Sequence, residues 1–250
     1  MKLSNKKSIL LYTIISIGLA SITCFIAYTT KNINISILSV FTPTIVAILL
    51  TYYSEGKEGL KQLLVKQTTK RISIKWVLIS LLGIPFFAVL AMLTQLQFNF
   101  SELSLRTTQL LPQIIVIVLI ALGEEYGWRG YLLPKLMTKY SVFVSGLISG
   151  FIWGIWHFPA YLIGTGTPLE MSFVVFMVWV LLGSLFFSWI YYYTRSVLLA
   201  MFVHISANAT FNYLFILPEF TGDMTNFYIF MGYALVFVIL VYLLNKKELF

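Results

Sequence analysis

Charge is scarce in this 250-residue chain. Asp, Glu, Lys and Arg together make up 10% of it, far below the quarter usual in soluble domains. With 59% hydrophobic residues and a mean hydropathy of +0.89, that scarcity excludes a water-soluble globule. Cysteine is nearly absent: Cys24 stands alone, which rules out an intrachain disulfide and a thiolate metal cluster. No long polar stretch exists either. The longest connection between apolar runs is 54–75, so there is no room for a soluble domain. Neither a short-period nor a half-chain repeat is present, which weighs against a transporter built from duplicated halves. The H-E-x-x-H motif of ordinary zincins is missing too.

What the chain has in abundance is apolar runs of about 20 residues, the length that crosses a hydrocarbon core. Eight are expected to span: Ile9 to Thr29, Ile35 to Tyr53, Trp76 to Leu96, Pro112 to Leu133, Val142 to Ile163, Met171 to Tyr193, Val197 to Leu217, and Phe227 to Leu244. The first is not a lipoprotein signal, because Ser21, Ile22 and Thr23 lack the small residue needed just before Cys24; it is expected to stay as a helix.

The net charge of +8 is explained by a membrane surface rather than a nucleic acid. Basic residues gather before the first run (Lys2, Lys6, Lys7), between the second and third (Lys57, Lys61, Lys66, Lys70, Arg71, Lys75), after the fourth (Lys135, Lys139), at Arg195, and at Lys246 and Lys247. The alternate connections hold only Lys31 and Arg106, with Glu102, Glu170, Glu219 and Asp223. That alternation predicts an all-α integral membrane protein of about eight helices, both termini cytoplasmic, in the cell membrane. Residues 1–250 read as one membrane domain. The 54–75 connection reads as an interfacial amphipathic helix, or equally as a solvated loop.

Ionisable groups at membrane depth cost several kcal/mol and mark function. They fall in three runs here: Glu124, Glu125 and Arg129 in A-L-G-E-E-Y-G-W-R-G, His157 in F-I-W-G-I-W-H-F-P, and His204 with Asn208 in M-F-V-H-I-S-A-N. Both histidines of the chain belong to this set. Residues four apart share a helix face, so His204 and Asn208 project together and Glu125 pairs with Arg129. Glu124, about 100° round the helix from Glu125, is left to face the histidines.

Two chemistries use such a set. In one, His157, His204 and Glu124 hold a divalent ion, typically zinc, with a bound water. In the other, Glu124 and His157 polarise water directly while His204 and Asn208 donate to a tetrahedral oxyanion. Both amount to amide hydrolysis inside the membrane. Two readings of other classes compete: an ion-coupled transporter using the same residues, and a non-catalytic scaffold or immunity factor. Tyr126 and Asn212 are expected beside the site as supporting partners. Trp128, Trp153, Trp156 and Phe158 either line a cavity or simply pack.

At these residues the sequence resembles the CPBP (Abi) family, which includes type II CAAX prenyl endopeptidases of the Rce1 kind and bacterial bacteriocin-processing and immunity proteins. The family pattern is E-E-x-x-x-R on one span, F-x-x-x-H on the next, and H-x-x-x-N on a later one. Glu124, Glu125 and Arg129 match the first, His204 and Asn208 the third; His157 matches the second, with Trp153 where phenylalanine is usual. The likeness runs from about Pro112 to Phe211, within a core taken as 112–216. It implies an intramembrane endopeptidase of eight helices, Glu124, Glu125, His157, His204 and Asn208 as catalytic residues, Arg129 in a structural ion pair, and a divalent metal, zinc, on His157, His204 and Glu124. The substrate implied is a hydrophobic peptide or a membrane-protein terminus. Richness in Lys, Ile, Asn, Phe and Tyr points to an AT-rich bacterium, hence to pheromone or bacteriocin maturation, or bacteriocin immunity, rather than prenylated substrates.

Overall fold

The computed structural model describes residues 3–68, 72–106 and 110–250. Lys2, Lys70 and Arg71, counted above among the basic clusters, lie outside them. Every element among the described residues is helical: α1 (Asn5–Thr29), α2 (Thr42–Lys61), α3 (Ile74–Gln95), α4 (Leu110–Glu125), α5 (Leu133–Met137), α6 (Val142–Leu162), α7 (Phe173–Thr194), α8 (Val197–Tyr213), α9 (Pro218–Thr221), α10 (Thr225–Leu244) and α11 (Lys246–Leu249). Seven helical segments among the described residues are long and apolar enough to cross a membrane. The remaining expected crossing, Pro112 to Leu133, runs continuously from α4 through a π-helical stretch, Tyr126–Leu132, into α5. The protein is a multi-pass membrane protein.

Serine starts these helices. Ser4, Ser141, Ser172 and Ser196 each accept, at the N-cap of α1, α6, α7 and α8, a backbone N–H three residues on, satisfying a donor that the helix itself leaves unpaired. Only Arg195 and Ser196 separate α7 from α8, and Arg195 adopts the left-handed conformation that closes α7 (φ 51°). The tight reversal sends α8 straight back along α7 and sets the depth of His204.

Elsewhere the backbone departs from expectation. The run expected as helix from Ile35 begins as a 3-10 segment, Ile33–Phe41, and becomes α-helical only at Thr42. The hydroxyls repeat every third residue: Ser36 donates to the Ile33 carbonyl, Ser39 to that of Ser36, and Thr42 to that of Ser39, at 2.7, 2.7 and 2.8 Å. Side-chain bonds to residue i−3 compete with the α-helical ladder, and a three-residue period eclipses in a 3-10 helix. The connection from Lys57 is helical after a break at Gly56 (φ 64°), with Leu63 turned into the core and the lysines left outward.

Two close approaches bring the site together. On α6, Gly146 accepts a 2.8 Å hydrogen bond from Ser184 of α7 at its carbonyl, and a Cβ on Gly150 would stand 2.7 Å from the Ser184 Cβ. The small-residue face lets α6 and α7 touch backbone to backbone, the usual way helices associate in lipid. Gly127, in the π-helical stretch, lies against Pro43 of α2 and the Tyr12 hydroxyl of α1. The start of α1 meets the end of α5 through Asn5 and Thr138, and Tyr193 at the end of α7 bonds Asn245 and Glu248. Both chain ends therefore lie at the same end of the bundle as the α5–α6 and α7–α8 turns.

Candidate active site

The π-helical stretch Tyr126–Leu132 follows directly on Glu124 and Glu125 and carries Arg129. Stretches of this kind widen the helix and cluster at functional sites. Glu124, Glu125 and Arg129 are 3%, 0% and 1% exposed, so each must find its partners inside the protein.

Glu125 finds two. Its Oε1 accepts a 2.9 Å hydrogen bond from Arg129 Nη1 and a 2.7 Å hydrogen bond from His204 Nδ1 of α8. The Arg129 guanidinium is held between two aromatic faces, 4.3 Å from the Trp153 ring centroid and 3.7 Å from that of Phe187, an arrangement that stabilises a cation away from water. Glu125 was expected as a catalytic residue. One of its oxygens is shared between a guanidinium and the imidazole of His204.

Glu124 is bound differently. Its Oε2 accepts from the indole nitrogens of Trp153, at 2.8 Å, and Trp128, at 3.3 Å. Its Oε1 makes no hydrogen bond among the described residues, and Glu124 lines a cavity of about 540 Å³ together with His157, His204, Asn208, Trp156 and the 3-10 segment. A second cavity of about 550 Å³ shares His157, His204 and Asn208 and extends between α3, α7, α8 and α10, walled by Phe176, Trp179, Phe187, Phe211 and Phe227. The polar residues stand where the two spaces meet.

The tautomer of each histidine follows from its partner. His157 Nδ1 lies 2.9 Å from the Trp153 carbonyl, which can only accept, so Nδ1 carries the proton and donates. His204 Nδ1 donates to the Glu125 carboxylate by the same reasoning. Both Nε2 atoms are free of hydrogen bonds among the described residues. Asn208, one turn beyond His204, lends its side chain to both cavities, while its carbonyl accepts from Asn212 at 2.8 Å.

All five residues expected to be catalytic are thus brought together from three helices. The supporting pair divides: Asn212 buttresses Asn208, whereas Tyr126 points away, its hydroxyl 3.2 Å from that of Thr68 and 3.3 Å from the Leu64 carbonyl. Trp128 and Trp153 were read as cavity wall or packing. The one signal available was their spacing, Trp128 four after Glu124 and Trp153 four before His157. Zinc on His157, His204 and Glu124 does not fit the side chains as placed. Among the described residues no three His, Cys, Asp or Glu groups gather as a ligand set.

Residues 106–210 match the family described as type II CAAX prenyl endopeptidase Rce1-like. The chain is also 28% identical, over 137 residues, to a protein of Methanococcus maripaludis named CAAX prenyl protease 2, an alignment covering 52% of this chain and 51% of that protein. The chain spans about half the length of the curated relative it matches. The matched segment holds all three motifs, from Glu124 to Asn208, and over it the chain is similar to the Rce1-like endopeptidases.

Proposed function

We propose that the protein is an intramembrane endopeptidase in which Glu124 activates a water molecule against a peptide bond. The observation that carries the reading is the unengaged Oε1 of Glu124 in a cavity also lined by His157, His204 and Asn208. A buried carboxylate that accepts only from neutral indoles, beside one that accepts from Arg129 and His204, is arranged for proton transfer.

The chemistry runs through these groups. A water in the cavity donates one hydrogen bond to His157 Nε2, whose lone pair is exposed because Nδ1 is committed to the Trp153 carbonyl. Its other proton passes to Glu124 Oε1 as its oxygen attacks the carbonyl carbon. The oxyanion accepts from Asn208 Nδ2 and His204 Nε2. For His204 to donate at Nε2 while Nδ1 gives to Glu125, it must carry both protons, and the count of charges then closes: Glu124 and Glu125 against Arg129 and His204. Such neutrality is what a low-dielectric site demands. Glu124 finally returns its proton to the leaving nitrogen as the C–N bond breaks, yielding an acid and an amine.

The aromatic cavity supports a hydrophobic peptide or the terminus of a membrane protein as substrate, delivered within the bilayer of the cell membrane. With both termini on the cytoplasmic side, as the charge pattern indicates, the setting is maturation of a bacterial peptide such as a pheromone or bacteriocin precursor. The test is cleavage of a panel of hydrophobic peptides by purified wild type and Glu124→Gln, read by mass spectrometry. Products from wild type alone support the assignment; equal cleavage by a folded Glu124→Gln, or none by a folded wild type, rejects it.

A further inference from the structure

Trp153 touches four members of the site. Its indole N–H donates to Glu124 Oε2 at 2.8 Å, its carbonyl accepts from His157 Nδ1 at 2.9 Å, its face carries the Arg129 guanidinium, and its ring centroid is 5.9 Å from that of His204 in an edge contact. Trp128 brings a second donor to the same Glu124 oxygen. Trp128 is itself fixed, with no exposed surface and edge-on contacts to Tyr12 and Trp156 at 5.5 and 5.8 Å.

Packing alone does not account for this arrangement. A ring that merely filled space would leave its N–H unpaired or send it to a backbone carbonyl, since a buried indole always seeks an acceptor. Here two indoles from different helices converge on one oxygen of one carboxylate. Both donors to Oε2 fix the plane of the carboxylate and leave Oε1 as the proton-accepting atom. Through its main chain the same Trp153 sets the His157 tautomer that exposes Nε2.

We propose that Trp153 and Trp128 are positioning residues that orient Glu124 for water activation, with Trp153 coupling the orientation of Glu124 to that of His157. This rests on the proteolytic reading above for its kinetic consequence, but the hydrogen bonds themselves can be tested without any substrate.

The experiment uses the full-length protein in detergent with Trp153→Phe, Trp128→Phe and Glu124→Ala. Phenylalanine keeps an aromatic face for Arg129 and removes only the N–H and its ring. In a spectrum of 15N-labelled indoles, the signals lost in each tryptophan variant assign Trp153 and Trp128. Both signals are expected to shift on Glu124→Ala more than the other four do; a Trp153 signal that does not move overturns the proposal. In the cleavage assay, losing a hydrogen bond to a charged group predicts a fall in kcat of about 10-fold or more for Trp153→Phe at unchanged KM. Wild-type kcat, a loss confined to KM, or a loss matching a smaller folded fraction overturns it. A wild type that cleaves nothing rejects the proteolytic reading, while the indole spectrum still decides whether the pair holds Glu124.

Discussion

His204 Nδ1 and Arg129 Nη1 meet on a single oxygen, Oε1 of Glu125, at 2.7 and 2.9 Å. Two donors from two helices therefore share one acceptor that is wholly buried. Removing either end of the Glu125–Arg129 pair leaves a bare charge in a medium that cannot solvate it, which costs about 3–5 kcal/mol. Arg129→Ala and Glu125→Ala are expected to unfold at markedly lower temperature in detergent. The double variant Glu125→Leu/Arg129→Leu is expected to recover most of that loss, because no charge is left unpaired, yet to remain inactive because His204 has lost its anchor. Thermal unfolding beside the cleavage assay checks both halves, and a double variant no more stable than the singles would contradict the argument.

The side chains predict indifference to chelators. No triad of ligands gathers among the described residues, and the proton acceptor proposed here is a carboxylate oxygen acting directly on water. Dialysis against a strong chelator, followed by elemental analysis and the cleavage assay, is expected to leave activity intact with metal well below one per chain. Activity lost on dialysis and restored by zinc would show that the ligands rearrange around an ion.

Much of this site could be read from residue types alone, and the reason is the solvent. In a bilayer a buried glutamate or histidine is so costly that its presence is a statement about function, so Glu124, Glu125, Arg129, His157, His204 and Asn208 stand out against their neighbours. The i, i+4 rule gave the Glu125–Arg129 pairing and the common direction of His204 and Asn208. Tryptophan is different, being at home in lipid and in protein cores alike; nothing in W-G-I-W-H marks one indole as a donor to a carboxylate 29 residues earlier. The 3-10 segment was hidden for a similar reason. Apolar content announces a span, but Ser36, Ser39 and Thr42 change the helix type without changing that content. The π-helical stretch likewise has no compositional signature, and it depends on contacts with α2 that are distant in sequence.

Cavity shape should control substrate choice. Gly183 lines the aromatic cavity, and a Cβ placed there would meet nothing within 4 Å. A side chain at 183 therefore starts into open space, and Gly183→Leu extends it into the cavity that substrate would use. Excluding a few methylenes from an apolar pocket is worth about 1–3 kcal/mol. For peptides with bulky residues near the cleaved bond, kcat/KM is expected to fall about 10-fold or more, while peptides with alanine there are cleaved as before. A uniform loss across the panel would place substrate elsewhere.

The motif helix tolerates no growth at Gly127. A Cβ there would stand 2.5 Å from the Pro43 carbonyl carbon, which is backbone and cannot swing aside, and 2.5 Å from the hydroxyl of the fully buried Tyr12. Gly127→Ala must therefore push the π-helical stretch away from α2, at a cost of about 1–3 kcal/mol for overpacking. The displacement also moves Trp128 and Arg129, the neighbours on either side of the Glu124 and Glu125 hydrogen bonds, so activity should fall further than stability. Gly18, on α1, is the matched control: its Cβ meets nothing within 4 Å, and alanine favours the helix over glycine by about 1 kcal/mol. Gly18→Ala is expected to match or exceed wild type in thermal stability and to cleave at the same rate. If Gly127→Ala behaved like Gly18→Ala in both assays, the close contact between the motif helix and α2 would not be what holds the glutamates in place.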